Sequence, residues 1–253
     1  MTIILRRFSY NYISSNSFLL IIGMVQSGKS TLTKDILYYF QDIPVGSIIT
    51  SISPDDYKYN KKYNYVPPIF IYDKYDKNII KKFIKRQDSL IENDSFDTRA
   101  FIIFSNCFNG YNIKKDKYFK QISEMTKTHN YLCIYETDDL KNIYKDFISN
   151  LDFVFILKER LDINRKAIYN LFQKYLGIEY SLFNKLMDDY TENNNFLVLS
   201  LKVESPILED KLFWFSSSLH NNFKTCSEES WIFNNNNYIL QPPKRTINRN
   251  IFY

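Results

Sequence analysis

Gly23-Met24-Val25-Gln26-Ser27-Gly28-Lys29-Ser30, with Thr31 after it, matches G-x-x-x-x-G-K-[ST] at every fixed position. The apolar run 18–22 precedes it and an amphipathic stretch, 30–40, follows, so the pattern sits where a strand turns into a helix. Gly23 and Gly28 reach backbone angles closed to other residues, letting the amides of Met24, Val25, Gln26, Ser27 and their neighbours up to Thr31 wrap a phosphate. The helix that begins near Lys29 adds the positive end of its dipole. Lys29 is expected to reach the β- and γ-phosphates of a nucleoside triphosphate, ATP, and the Ser30 hydroxyl to ligate Mg²⁺. The chain has five glycines, and two of them fall on the two positions that the pattern requires. A glycine-bearing strand–helix turn with no ligand is the weaker reading.

Outward from this loop, short apolar runs alternate with amphipathic stretches. Strands are expected at 18–22, 47–51, 69–72, 100–104, 131–135 and 153–157, several apolar throughout, as strands covered on both faces are. Helices are expected at 30–40, 78–91, 117–127, 139–149 and 164–176; in the second, Ile79, Ile80, Phe83, Ile84, Leu90 and Ile91 recur at roughly helical spacing. The alternation predicts an α/β fold of the P-loop NTPase kind, a mainly parallel central sheet with helices on both faces. A helix at 180–190 and late strands at 196–203 and 211–215 extend the same sheet. One domain over 1–233 is expected, then an irregular tail over 234–253, announced by the asparagines at 234–237 and by Pro242-Pro243.

Hydrophobic residues make up 45% and charged residues 24%, which is ordinary for a globular protein. The 21 Tyr and 21 Phe, with abundant Asn, Lys and Ile, follow A/T-rich codons and reflect the genome before any site. A net charge of +5 tolerates a polyanionic partner but falls short of a nucleic-acid footprint. Cys107, Cys133 and Cys226 are odd in number, far apart and without zinc spacing, which points to a reducing compartment. The apolar run 17–22 is too short to span a bilayer, and no membrane insertion is expected.

A hydrolysing protein of this class needs a second strand ending in Asp and another carboxylate to polarise water. By order and spacing that strand is 100–104, yet Ser105, Asn106 and Cys107 follow it. Ser105 and Asn106 are able to hydrogen-bond a Mg²⁺-bound water, but neither is a base. The next strand, 131–135, leads into Glu136-Thr137-Asp138-Asp139, at the carboxyl end where such sheets bind ligands. Glu136 has two functional readings, a substitute base or a sensor of the γ-phosphate, and these stand level with its having no such role. Asp138 and Asp139 read as the cap and first-turn acid of the following helix. The catalytic set expected is Lys29, Glu136, Ser105 and Asn106.

With these elements in order, the chain resembles the DNA-packaging ATPases of poxviruses and other large nucleocytoplasmic DNA viruses, in the FtsK/HerA superfamily. The resemblance runs from about residue 18 to 231, through the phosphate loop, the strand AFIIFSNC, the block YLCIYETDDLKNIYKDFISNLDFVFILKE, and the later RKAIYNLFQKYLG and NNFLVLSLKVES. It implies ATP hydrolysis with Mg²⁺, a homo-oligomeric ring, double-stranded DNA and capsid proteins as partners, and work in the cytoplasmic viral factory or the virion. The chain departs from the family pattern in three places. Ser105 and Asn106 stand where the family has paired acids, and Glu136 where it has a sensor Gln. The stretch 124–129 (EMTKTH) lacks the Arg that the family is expected to use in trans, leaving Lys127 and His129 as the nearest stand-ins. The three changes also fit a diverged paralogue that binds ATP and hydrolyses it poorly.

The stretch 57–65 (YKYNKKYNY) interleaves Lys and Tyr as a DNA-contacting loop does, but the genome favours the same residues, and a solvated loop is the stronger reading. Lys244, Arg245 and Arg249 carry the same discount. His129 and His220 have no partner pattern for a metal or a triad. A nucleotide or nucleoside kinase shares the phosphate loop, but such enzymes carry an Arg-rich lid that this Arg-poor chain lacks.

Overall fold

Five consecutive buried apolar residues, Phe18–Ile22, form the strand around which the others are ordered. Alternate side chains leave opposite faces of a strand: Phe18, Leu20 and Ile22 enter one core layer, Leu19 and Ile21 the other. Such a strand is covered on both sides. The computed structural model describes residues 3–52, 62–108 and 111–238. In chain order the strands are β1 Arg6–Arg7, β2 Phe18–Ile22, β3 Gly46–Thr50, β4 Ile71–Tyr72, β5 Ala100–Ser105, β6 Tyr131–Thr137, β7 Phe153–Ile156, β8 Asn195–Ser200 and β9 Leu212–Ser216. The α-helices are α1 Lys29–Tyr39, α2 Lys77–Glu92, α3 Lys117–Glu124, α4 Lys145–Ile148, α5 Asp162–Leu176, α6 Tyr180–Tyr190 and α7 Glu228–Asn237.

One sheet runs in the order β1-β9-β8-β7-β2-β6-β5-β3-β4. All its pairings are parallel except those of β8, which is antiparallel to β7 and β9. The fold is the expected α/β P-loop NTPase type. Leu32, Ile36 and Leu37 of α1 cover one face, and α2 to α6 cover the other through Phe83, Phe119, Phe147, Phe172 and Phe183. Among the described residues, no helix is long and apolar enough to cross a membrane.

Four expectations change. The helix expected at 139–149 is broken: the Asp139 carboxylate accepts the Lys141 amide at 2.9 Å and closes a 3-10 turn, Leu140–Asn142. Ile143 and Tyr144 are then extended, so α4 starts only at Lys145. The short exposed edge strand β1 was not foreseen, because two arginines carry no strand signal. The irregular tail does not begin at 234. Asn234 lies in α7, is buried and accepts the Ile69 amide at 3.0 Å; residues 239–253, with Lys244, Arg245 and Arg249, lie outside the described residues. Of the stretch 57–65, residues 57–61 also lie outside them, while Tyr63 and Tyr65 are core side chains rather than a solvated loop.

Candidate phosphate-binding site

The loop leaves β2 at Gly23 and enters α1 at Lys29. A Cβ at Gly23 would lie 2.5 Å from Ser27 Oγ and 2.7 Å from Leu157 Cβ, so the tight first turn admits only glycine. Gly28 has φ +99° and Gln26 φ +65°, the left-handed angles that turn successive amides inward. The first bond inside α1 runs from the Leu32 amide to the Gly28 carbonyl at 3.0 Å, so the amides of Lys29, Ser30 and Thr31 face out of the helix end. Lys29 is 6% exposed, and its Nζ donates to the carbonyls of Gly23 at 2.7 Å and Met24 at 2.9 Å. Burial holds its pKa below the usual lysine range, opposed by the charges of Asp138 and then Glu136. Amides, a helix end and a desolvated ammonium make a cradle for a polyphosphate.

Beside the cradle lies a buried hydrogen-bonded cluster. Ser105 and Glu136 are register partners at the ends of β5 and β6, so their side chains leave the same face of the sheet, toward α1. Glu136, 1% exposed, accepts from Thr33 Oγ1 on one oxygen and from Ser105 Oγ at 2.6 Å on the other. Ser30 Oγ points at that second oxygen from 3.5 Å. Tyr63 OH donates to Ser105 Oγ at 3.1 Å. The carboxylate that β5 lacks therefore reaches the helix α1 from β6, meeting Thr33 and Ser30 directly while Ser105 of β5 steadies it. Asn106, at φ +48°, donates its amide to the Glu136 carbonyl at 3.1 Å and keeps a buried, unpartnered Oδ1. A hydroxyl, a carboxylate oxygen and an amide oxygen in one cleft are hard oxygen donors of the kind Mg²⁺ takes. No cluster of three or more His, Cys, Asp or Glu that would cage a metal exists among the described residues.

A cleft of about 360 Å³ joins Val25, Gln26, Gly28, Lys29, Ser30, Thr31, Lys62, Asn106 and Glu136. All the loop residues except Gly23, Met24 and Ser27 line it. Ser27 turns its hydroxyl into the loop, buried and unpartnered. Asp139, expected to open an α-helix, instead caps the short 3-10 turn that follows β6. Asp138 is instead exposed, and its charge is the first to act on Lys29 against burial. Lys127 and His129 stand at the opposite, amino end of the strands. Lys127 pairs with buried Asp152 at 3.0 Å, and His129 lies 3.0 Å from Asp88. His220, unpartnered by pattern, lies 2.5 Å from Asp35 of α1. Sequence reading missed Lys62, which sits among residues that codon bias makes common.

Fold and loop together define a protein of the P-loop NTPase fold. No family model matches the chain. It belongs to the family of Uncharacterized protein 075L of Invertebrate iridescent virus 6, with which it is 30% identical over 178 residues, 69% of this chain and 67% of that protein. It is also 25% identical over 230 residues to an uncharacterized protein of Acanthamoeba polyphaga mimivirus, across 84% of this chain and 77% of the relative. Among solved structures, the chain is similar to the genome packaging NTPase B204 from Sulfolobus turreted icosahedral virus 2 in complex with ATP-gammaS. The TM-score is 0.55 and the identity 14%, covering 82% of this chain and 100% of that one. The pCW3 conjugation coupling protein TcpA, in its monomer form with ATPgS, gives a TM-score of 0.52 at 14% identity, over 88% of this chain and 65% of its own. At such identities the likeness is one of fold.

Proposed function

We propose that this chain binds ATP with Mg²⁺ in the cradle and couples its hydrolysis to moving double-stranded DNA into a viral capsid, as a subunit of a homo-oligomeric ring that meets capsid proteins. The observation that carries the reading is the carboxylate of Glu136 set against Ser30 and Thr33 of α1. Lys29, now on the Gly23 and Met24 carbonyls, moves to β- and γ-phosphate oxygens. Ser30 would hold Mg²⁺, whose charge lowers the cost of negative charge on the phosphates, while Glu136 orients that shell from behind. Both Glu136 oxygens are already engaged by hydroxyls, so it serves better as the metal-side acid than as a free base. Such work would take place in the cytoplasmic viral factory and the virion. Relatives in iridescent viruses and a mimivirus, together with a B204-like fold, support the setting.

A second reading keeps ATP binding and removes most hydrolysis, giving a regulatory or structural paralogue. Ser105 and Asn106 favour it, since β5 brings no acid to the cleft. ATP turnover measured with and without double-stranded DNA, beside Lys29→Ala and Glu136→Gln, separates the two. DNA-stimulated turnover abolished by either substitution supports the motor. Nucleotide binding without turnover in the unsubstituted chain assigns the second reading, and no binding of ADP or ATP at millimolar concentration removes both.

A further inference from the structure

Lys62 is the second cation of the cleft, and it arrives on a different part of the chain from Lys29. Its side chain lines the same cleft as Lys29, Ser30 and Thr31. Among the described residues its recorded partners are neutral. The Ser105 hydroxyl lies 3.5 Å from its Nζ, and the Tyr63 ring centroid lies 4.8 Å away. Neither partner neutralises the ammonium, which leaves its charge available to an anion.

The position of Lys62 is set by the residues behind it. Tyr63, Tyr65 and Val66 are fully buried in the α1-side core. Tyr63 OH donates to Ser105, and the Tyr65 carbonyl accepts the Thr225 amide at 2.8 Å. Lys62 therefore adjoins a tyrosine anchored on the ends of β3 and β5, and its side chain lines the cleft. Ser105 links it to Glu136, so this wall of the cleft carries one ammonium and one carboxylate two bonds of a hydrogen-bonded relay apart. Lys29 is placed to serve the β-phosphate and to share the γ-phosphate. Lys62, joined through Ser105 to the carboxylate that faces Ser30, is the second cation open to that terminal phosphate.

We propose that Lys62 is a cis-acting phosphate-binding residue that contacts the terminal phosphate and lets the site distinguish a nucleoside triphosphate from a diphosphate. The proposal rests on the nucleotide-binding reading of the cradle. It assigns to this chain's own segment after β3 a charge that the Arg-free stretch 124–129 does not bring to the cleft.

The test is calorimetric titration of the full chain with ADP and with a non-hydrolysable ATP analogue, both with Mg²⁺, in the unsubstituted protein, Lys62→Met and Lys62→Arg. One charge-assisted contact implies about a tenfold loss of triphosphate affinity in Lys62→Met, less than about twofold for ADP, and recovery in Lys62→Arg. ADP binding doubles as the control for folding. Equal losses for both nucleotides, or none for either, overturn the role of Lys62 and leave the cradle standing. If the unsubstituted chain binds neither nucleotide, the cradle reading falls and takes this one with it.

Discussion

Helix α1 meets a buried carboxylate at each of two places, and the two are handled differently. Asp35, in the second turn, is 1% exposed and takes three partners: Tyr10 OH at 2.6 Å, the Ser218 amide at 2.9 Å and His220 Nε2 at 2.5 Å. Tyr38 stacks on His220 with centroids 3.7 Å apart, so the network is walled off by rings. Glu136, equally buried, accepts from Thr33 of α1 and from Ser105 of β5 but keeps the oxygen shared with Ser105 turned toward Ser30 and the cleft. A buried acid needs donors in either case. When every acceptor site faces protein the acid fastens elements together, here the amino-terminal segment, α1 and the chain after β9. When one site faces a cleft, the same arrangement holds a charge in readiness.

Substitutions should separate the two acids. Asp35→Ala strands three donors and is expected to cost about 3–4 kcal/mol in urea unfolding, with nucleotide affinity unchanged in the folded fraction. A loss under 1 kcal/mol would mean that the network is ornamental. Glu136→Gln keeps the size and one acceptor, and should lower ATP turnover about a hundredfold while moving the unfolding midpoint little; a large midpoint shift with normal turnover would place Glu136 with Asp35 as a fastener. Ser105→Asp puts a second carboxylate against the first, 2.6 Å from where the Glu136 oxygen lies. It should cost about 2 kcal/mol, relieved when combined with Glu136→Gln, and additive losses in the double variant would refute the shared position. The smallest effect is His220→Phe, which keeps the stack on Tyr38 and removes one partner of Asp35, about 1 kcal/mol by thermal denaturation.

Much of the site-bearing half was legible in the sequence because its signals are local. A fixed-spacing loop between an apolar run and an amphipathic stretch needs no distant residue, and Glu136 stood out as an acid at a strand end. That Ser105 carries a bond to Glu136 was not legible, since only strand register brings residues 31 apart in sequence together. Asp35 and His220 are 185 residues apart, and nothing local marks either. Tyr63 and Lys62 were hidden differently: a biased composition makes Lys–Tyr runs common, so core and site residues look like background. The missed break at 139–149 has a local cause after all, because an Asp side chain that caps a 3-10 turn competes with the helix it was expected to begin.

One row of side chains crosses the sheet level with the phosphate loop. Thr50, Ser105 and Glu136 stand on β3, β5 and β6, then Ile21, Phe155, Val198 and Phe213 on β2, β7, β8 and β9. The row is polar on one flank of β2 and apolar on the other, though both are buried. An anion seated above β2 would thus lie on a boundary between a polarisable floor and an unresponsive one, and its field would spread toward the flank that Lys62 occupies.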